Sequence, residues 1–293
     1  MNVLPTEHVS HSQLTSWAER CQKAFQLQRI QRAPVVPAWW LVGGSTVHEV
    51  TEDLDRRGLE FGLTPADLNV TLEIEGLVEV KLDELMKREQ EKSGVPQEEW
   101  FTAGRGKGQG FDYWSENAPK MVANYLAWRI RTGWPIASFG DLPGIEFDLN
   151  VTMEAGPIKG APDRVFELPN GELVVADIKS GSSTPKTVMQ QGLYATLLAL
   201  QGHRRPKYGT FIKVKENDGP GAVHTTLTPL SKYDERFFDH LFRALRAQVE
   251  TGTFIPNVGD NCRTCGVSAS CYAAGGSLSA DYDPLDPNYQ GEQ

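Results

Sequence analysis

The chain has 293 residues, 40% of them hydrophobic and 23% charged, which excludes a collagen-like or wholly disordered polymer and suffices to bury a sizeable core. Its formal net charge of −9 excludes a protein whose whole surface coats a polynucleotide, so a nucleic acid must meet a local basic patch. The sequence holds no long apolar span and no cationic-apolar leader, so the expected setting is a reducing cytoplasm.

In chain order, a helix over 12–31 comes first. A loop with Pro34, Pro37, Trp39 and Trp40 leads to a second helix, capped by Ser45 or Thr46, with His48 in its first turn. Residues 64–135 read as largely helical: 77–92 carries dense charge on an amphipathic pattern, and 117–132 spaces Met121, Val122, Tyr125, Leu126 and Trp128 as a core stripe. Between them Gly104-Arg105-Gly106-Lys107-Gly108-Gln109-Gly110 reads as a mobile loop. Lys107 is followed by Gly rather than Ser or Thr, so it is no P-loop, and any motor must come from a partner chain. Strands follow at 144–152, carrying Glu146, and at 158–168 and 172–180. A helix from Met189 to about Leu200, strands at 208–215 and 223–228 and a helix over 231–251 complete an α/β pattern, a mixed sheet flanked by helices. The expected organisation is one domain over 1–275, with a helical subdomain at about 58–140, a catalytic core at about 141–230, and a disordered acidic tail over 276–293.

The chemistry concentrates in Gly160-Ala161-Pro162-Asp163-Arg164-Val165 and Val174-Val175-Ala176-Asp177-Ile178-Lys179. Pro169-Asn170-Gly171 between these runs predicts a hairpin on which Asp163 and Asp177 converge on one cation. Lys179, two residues after Asp177, shares its strand face. Two carboxylates and an ammonium are the minimum set for metal-assisted hydrolysis of a phosphodiester, because the ion needs anionic oxygens and the attacking water needs orientation. Gln190 and Tyr194, four apart, share a helix face.

This arrangement resembles the PD-(D/E)XK nuclease superfamily, with Pro162-Asp163 as the first half of its motif and Asp177-Ile178-Lys179 as the second. Within it, Gln190-x-x-x-Tyr194 and an early His48 resemble the RecB-like branch. The resemblance implies a restriction-endonuclease-like core and catalytic roles for Asp163, Asp177, Lys179, Gln190 and Tyr194. It also implies a Mg2+ or Mn2+ ion held by His48, Asp163, Asp177 and the Ile178 carbonyl, with Glu146 as an outer or second-metal ligand. DNA, single-stranded or at an end, is the implied substrate of an exonuclease serving recombination, repair or end processing, with a bacteriophage among its sources. An inactive DNA-binding module and a subunit of a helicase-nuclease are the other readings, and an oligomer is open to each. The basic clusters offered to DNA are Arg29 and Arg32, Arg105 and Lys107, Arg129 and Arg131, and His203-Arg204-Arg205-Pro206-Lys207.

Four cysteines, Cys21 and then Cys262, Cys265 and Cys271 in a C-x2-C-x5-C pattern, suit a soft metal centre, and their spacing alone leaves zinc and an iron-sulfur cluster both open. One cysteine before the nuclease core and three after it resembles the iron-sulfur nucleases of the RecB-like branch, which include AddB-type helicase-nucleases, exonuclease V and CRISPR-associated adaptation exonucleases. That resemblance implies a [4Fe-4S] clamp joining segments at about 10–32 and 255–275.

Overall fold

The structure is a computed structural model, and it describes residues 8–103, 108–215 and 222–290. Its helices are α1 (His11–Thr15), α2 (Gln22–Phe25), α3 (Trp39–Phe61), α4 (Pro65–Leu68), α5 (Thr71–Ser93), α6 (Phe111–Thr132), α7 (Met189–Leu200), α8 (Glu235–Thr251) and α9 (Ser279–Tyr282). The strands are β1 (Val9–Ser10), β2 (Ser138–Phe139), β3 (Leu142–Pro143), β4 (Leu149–Met153), β5 (Gly156–Gly160), β6 (Arg164–Glu167), β7 (Leu173–Lys179), β8 (Tyr208–Lys213), β9 (Val223–His224) and β10 (Thr228–Pro229).

The main sheet runs β10-β8-β7-β6, with β9 paired to β8. β6 and β7 form the expected antiparallel hairpin, and Gly171 takes φ 80 in its turn, a conformation free of a Cβ penalty only in glycine. β7 and β8 are parallel, which requires a crossover, and α7 supplies it. The near-continuous apolar run of β7 is that of a strand buried on both faces. Leu173 and Val175 enter the core shared with α7 and α8, while Val174, Ala176 and Ile178 enter the core shared with α3, α5 and α6. Each buried Val, Leu or Ile side chain among them contributes about 1.5–3 kcal/mol. A second sheet, β1-β5-β4, extends the first of these cores. The mixed α/β fold with flanking helices and a helical insertion is therefore as the sequence implies.

Several boundaries differ. The opening helix is broken: Cys21 is extended (φ −144, ψ 116) between a π-helical segment, Ser16–Arg20, and α2, and a second π-helical segment, Gln26–Ile30, follows α2. α3 starts at Trp39, so His48 lies in its third turn and Thr46 is no cap; its hydroxyl donates to the Val42 carbonyl at 3.0 Å. The reason is packing. Trp39 packs at a tilt against Trp100 with centroids 5.0 Å apart, and a Cβ on Gly43 would fall 1.9 Å from the Trp114 indole, so the glycines mark a close helix contact. The 158–168 strand is two strands in different sheets, interrupted before Asp163.

Glu146 is not on a strand. It follows β3 with φ 37; the bridge from Ile145 to Arg164 and the Val165 amide, which donates to the Gly144 carbonyl at 2.7 Å, tie this stretch to β6, and the Glu146 amide donates to the Pro162 carbonyl at 3.0 Å. Residues 276–290 do not form the expected loose tail: α9 packs there, and Asp283, fully buried, pairs with buried Lys23 at 3.1 Å. Burying that pair anchors the chain end. The loop holding Arg105 and Lys107 lies outside the described residues except for 108–110.

Candidate metal and active site

The two cores meet the solvent where β7 ends, and the chemistry sits there. Asp163 precedes β6 and Asp177 lies near the end of β7, so the hairpin register brings both to one side. Asp163 Oδ2 accepts the Ile178 amide at 2.8 Å and lies 3.2 Å from His48 Nδ1. His48 reaches it because α3 packs closely: a Cβ on Gly44, one turn earlier, would stand 3.1 Å from Ser180 Oγ just beyond β7. Lys179 Nζ is 2.6 Å from Asp177 Oδ2. On α7, Gln190 Nε2 donates to the Tyr194 hydroxyl at 3.1 Å, as their four-residue spacing predicts. Tyr194 lies against Gly160, where a Cβ would fall 2.6 Å from its ring.

Among the described residues, His48, Glu146 and Asp163 each offer a ligand atom, all within 4.8 Å of one another. Asp177 stands outside that trio, with Lys179 on its Oδ2. Glu146 thus joins the cluster directly, by its left-handed backbone instead of strand alternation. Carboxylates suit Mg2+ or Mn2+, and the imidazole beside them favours Mn2+. Above the trio opens a cleft of about 600 Å³, walled by Trp40, Leu41, His48, Glu49, Glu52 and Glu146.

Electrostatics mark the cluster as unbalanced without a cation. Burial would raise Asp163, but His48 and the Ile178 amide outweigh it and hold the carboxyl down to about 2. Burial and then the Asp163 charge push Asp177 up to about 6, against Lys179. Burial, followed by Asp163, pushes Glu146 up to about 7. His48 is disfavoured as a cation by burial, yet Asp163 carries it above its ordinary value. Crowded carboxyls of this kind share protons until a cation takes their place.

Sequence reasoning did not single out His11. Burial first, then the Lys179 charge, depress it to about 4, and its ring lies 6.4 Å from that of Tyr194. A histidine at the mouth of a short helix carries no sequence signal; its place depends on β1 pairing with β5. Some proposed DNA contacts are spent internally. Arg129 is buried on Asp55, Arg131 donates to the Ala222 carbonyl, and Arg204 and Lys207 pair with Glu167 and Glu172.

The four cysteines are unpaired with one another and line a second cavity of about 600 Å³ between the broken N-terminal helix and the turns at 260–274. The Asn257 amide donates to Cys21 Sγ at 3.3 Å, and the Val36 amide donates to the Gly266 carbonyl at 2.8 Å, so both chain ends meet around the thiols.

A parallel-containing α/β sheet with an imidazole, acids and an amine at its strand end is the build of a phosphodiester-cleaving fold. The chain belongs to the PD-(D/E)XK nuclease superfamily, whose sequence profile matches residues 8–272. Gene 69 protein of Mycobacterium phage L5 is 27% identical over 295 residues, covering 92% of this chain and 97% of that protein. Gene 69 protein of Mycobacterium phage D29 is 27% identical over 270 residues, with 89% and 95% covered. A solved candidate exonuclease from Eubacterium rectale aligns with a TM-score of 0.49 at 12% identity, over 88% of this chain and 87% of that one. Among the described residues, no helix is long and apolar enough to cross a membrane.

Proposed function

We propose that this chain is a divalent-metal-dependent DNA exonuclease acting on single strands or ends. The carrying observation is the gathering of His48, Glu146 and Asp163 within 4.8 Å beside the Asp177–Lys179 pair. His48, Glu146 and Asp163 would hold a Mg2+ or Mn2+ ion, with Asp177 and the Ile178 carbonyl as further ligands. When bound, such an ion neutralises the scissile phosphate and makes a water more acidic. Lys179 orients that water and offsets charge developing on the phosphate. Asp177 fixes the Lys179 amine, and Gln190 and Tyr194 align the strand against it. The intact imidazole, acids and amine favour the enzyme over an inactive DNA-binding module.

The four cysteines would hold a structural iron-sulfur cluster of the RecB-like type. All four line one cavity, and closing a loop of about 240 residues contributes roughly 5 kcal/mol by analogy with a long-loop disulfide. A single zinc held by the same four thiolates is the alternative, and metal analysis separates the two. The two phage relatives support a bacteriophage source; action in the host cytoplasm and a role in recombination or end processing, with or without a helicase partner, complete the proposal.

The test is an anaerobic preparation assayed for iron and colour, and for cleavage of end-labelled single-stranded DNA with Mn2+. Wild-type protein is expected to be brown and to release nucleotides from an end, and Asp177→Ala to be inert. Equal cutting by that variant removes the site, and a colourless, zinc-loaded protein removes the cluster.

A further inference from the structure

We propose that Asp55 and Arg164 are positioning residues for the divalent cation, a buried carboxylate-guanidinium pair that sets the spacing between the helix carrying His48 and the strand carrying Asp163. The inference rests on the reading of His48, Glu146 and Asp163 as a cation site. Asp55 lies seven residues after His48, on the same face of α3. Arg164 follows Asp163 directly, and strand alternation sends it to the opposite side, toward the helices.

The contacts converge. Asp55 Oδ2 accepts Arg164 Nε at 2.6 Å and the Tyr125 hydroxyl at 2.5 Å, and its Oδ1 accepts Arg129. Arg164 Nη1 donates to the carbonyl of Asp163 itself at 2.5 Å, and Nη2 reaches Thr51 Oγ1, on the turn after His48, at 3.4 Å. One guanidinium therefore ties the backbone of one ligand to the helix of another. The helix reaches the third ligand as well: Arg56 Nη2 donates to the Ile145 carbonyl at 2.9 Å, next to Glu146.

Stability alone does not account for this network. Arg164 is 1% exposed and Asp55 4%, and a buried ion pair is often no more stabilising than well-packed apolar residues of the same size. Arg164 is flanked on β6 by Val165 and Phe166, where an aliphatic residue would pack. What the charges add is geometry, and metal ligation needs it, since ligand distances hold to about 0.2 Å. A change in the partners that orient metal ligands costs about 10–100-fold in metal affinity.

The test measures Mn2+ binding without DNA, by loss of the free-ion paramagnetic resonance signal, alongside thermal melting. Arg164→Lys keeps the charge but cannot bridge Asp55, Thr51 and the Asp163 carbonyl together, so it is expected to bind Mn2+ about 10–100-fold more weakly. Arg129→Lys loosens the same Asp55 from the α6 side; it is expected to lower the melting temperature comparably and keep wild-type affinity. Asp55→Glu retains every charge and lengthens one arm; it is expected to weaken binding like Arg164→Lys. Wild-type affinity in Arg164→Lys or in Asp55→Glu overturns the proposal, as does an equal loss in Arg129→Lys, which would mark general loosening. A wild type that binds no Mn2+, or whose binding survives His48→Ala, overturns the cation-site reading and the positioning role with it.

Discussion

The cation cleft and the cysteine cavity are each about 600 Å³ and each draw ligand side chains from distant parts of the chain, yet they are built in opposite ways. The cleft stands on α3, β6 and β7, whose backbones are fixed by two large cores and the buried Asp55–Arg164 pair. The cavity stands on a helix break at Cys21 and on 3-10 turns, with a small apolar cluster of Leu27, Ala33 and Val267 behind it. A preformed site loses function when a ligand goes; a site made of turns loses structure. The lesson is that ligand removal separates chemistry from architecture in this molecule.

The largest expected effect on catalysis lies in the cleft. Lys179→Ala is expected to lower the cleavage rate by about 10²–10³-fold while the melting temperature barely moves, measured by single-turnover cleavage and calorimetry. A matching fall in melting temperature would make the lysine structural and erase the contrast. In the cavity the order reverses. Cys271→Ser is expected to lose its iron and about 3–5 kcal/mol of stability, read from denaturant unfolding, with residual cleavage retained at low temperature. Full stability in that variant would leave the chain ends held by protein contacts alone.

A third comparison uses the buried latch near the cavity. Asp283 accepts Lys23 and the amides of Tyr272 and Leu285, so Asp283→Ala strands a buried ammonium and is expected to cost about 3–5 kcal/mol. Unchanged unfolding would mean the C-terminal segment is not seated there.

The smallest effect is the pH response of the cleft. Glu146 and Asp177 have folded-state values raised above their unfolded ones, so each stabilises the metal-free fold at low pH and loses that contribution as pH rises through about 6 to 7. His48, also raised, loses its contribution on the same climb. His11, depressed to about 4, acts oppositely, losing its contribution as pH falls through that value, and it cancels when metal-free and metal-loaded samples are compared. Mn2+ competes with the cleft protons, so its stabilisation is expected to be larger at about pH 7.5 than at about pH 5.5 by roughly 1–3 kcal/mol. A pH-independent increment would place the ion away from these carboxyls.

The hairpin was legible because turn residues and strand alternation are local: Asn170-Gly171 and the two-residue step from Asp177 to Lys179 need no tertiary knowledge. The Gln190–Tyr194 pair was legible for the same reason on a helix. What stayed hidden depended on contacts across the chain. The start of the His48 helix was expected at Ser45 or Thr46 because the Trp114 ring that packs on Gly43 lies about 70 residues on. Glu146 was expected on a strand, since no sequence pattern announces a non-glycine residue at φ 37. Arg164 and Asp55 left one trace, an arginine inside an otherwise apolar strand and an aspartate two turns beyond the histidine.

The most direct test is anomalous diffraction from crystals grown with Mn2+. The account predicts one strong peak within about 2.3 Å of His48, Glu146 and Asp163. A peak elsewhere, or none between the imidazole and the two carboxylates, contradicts it.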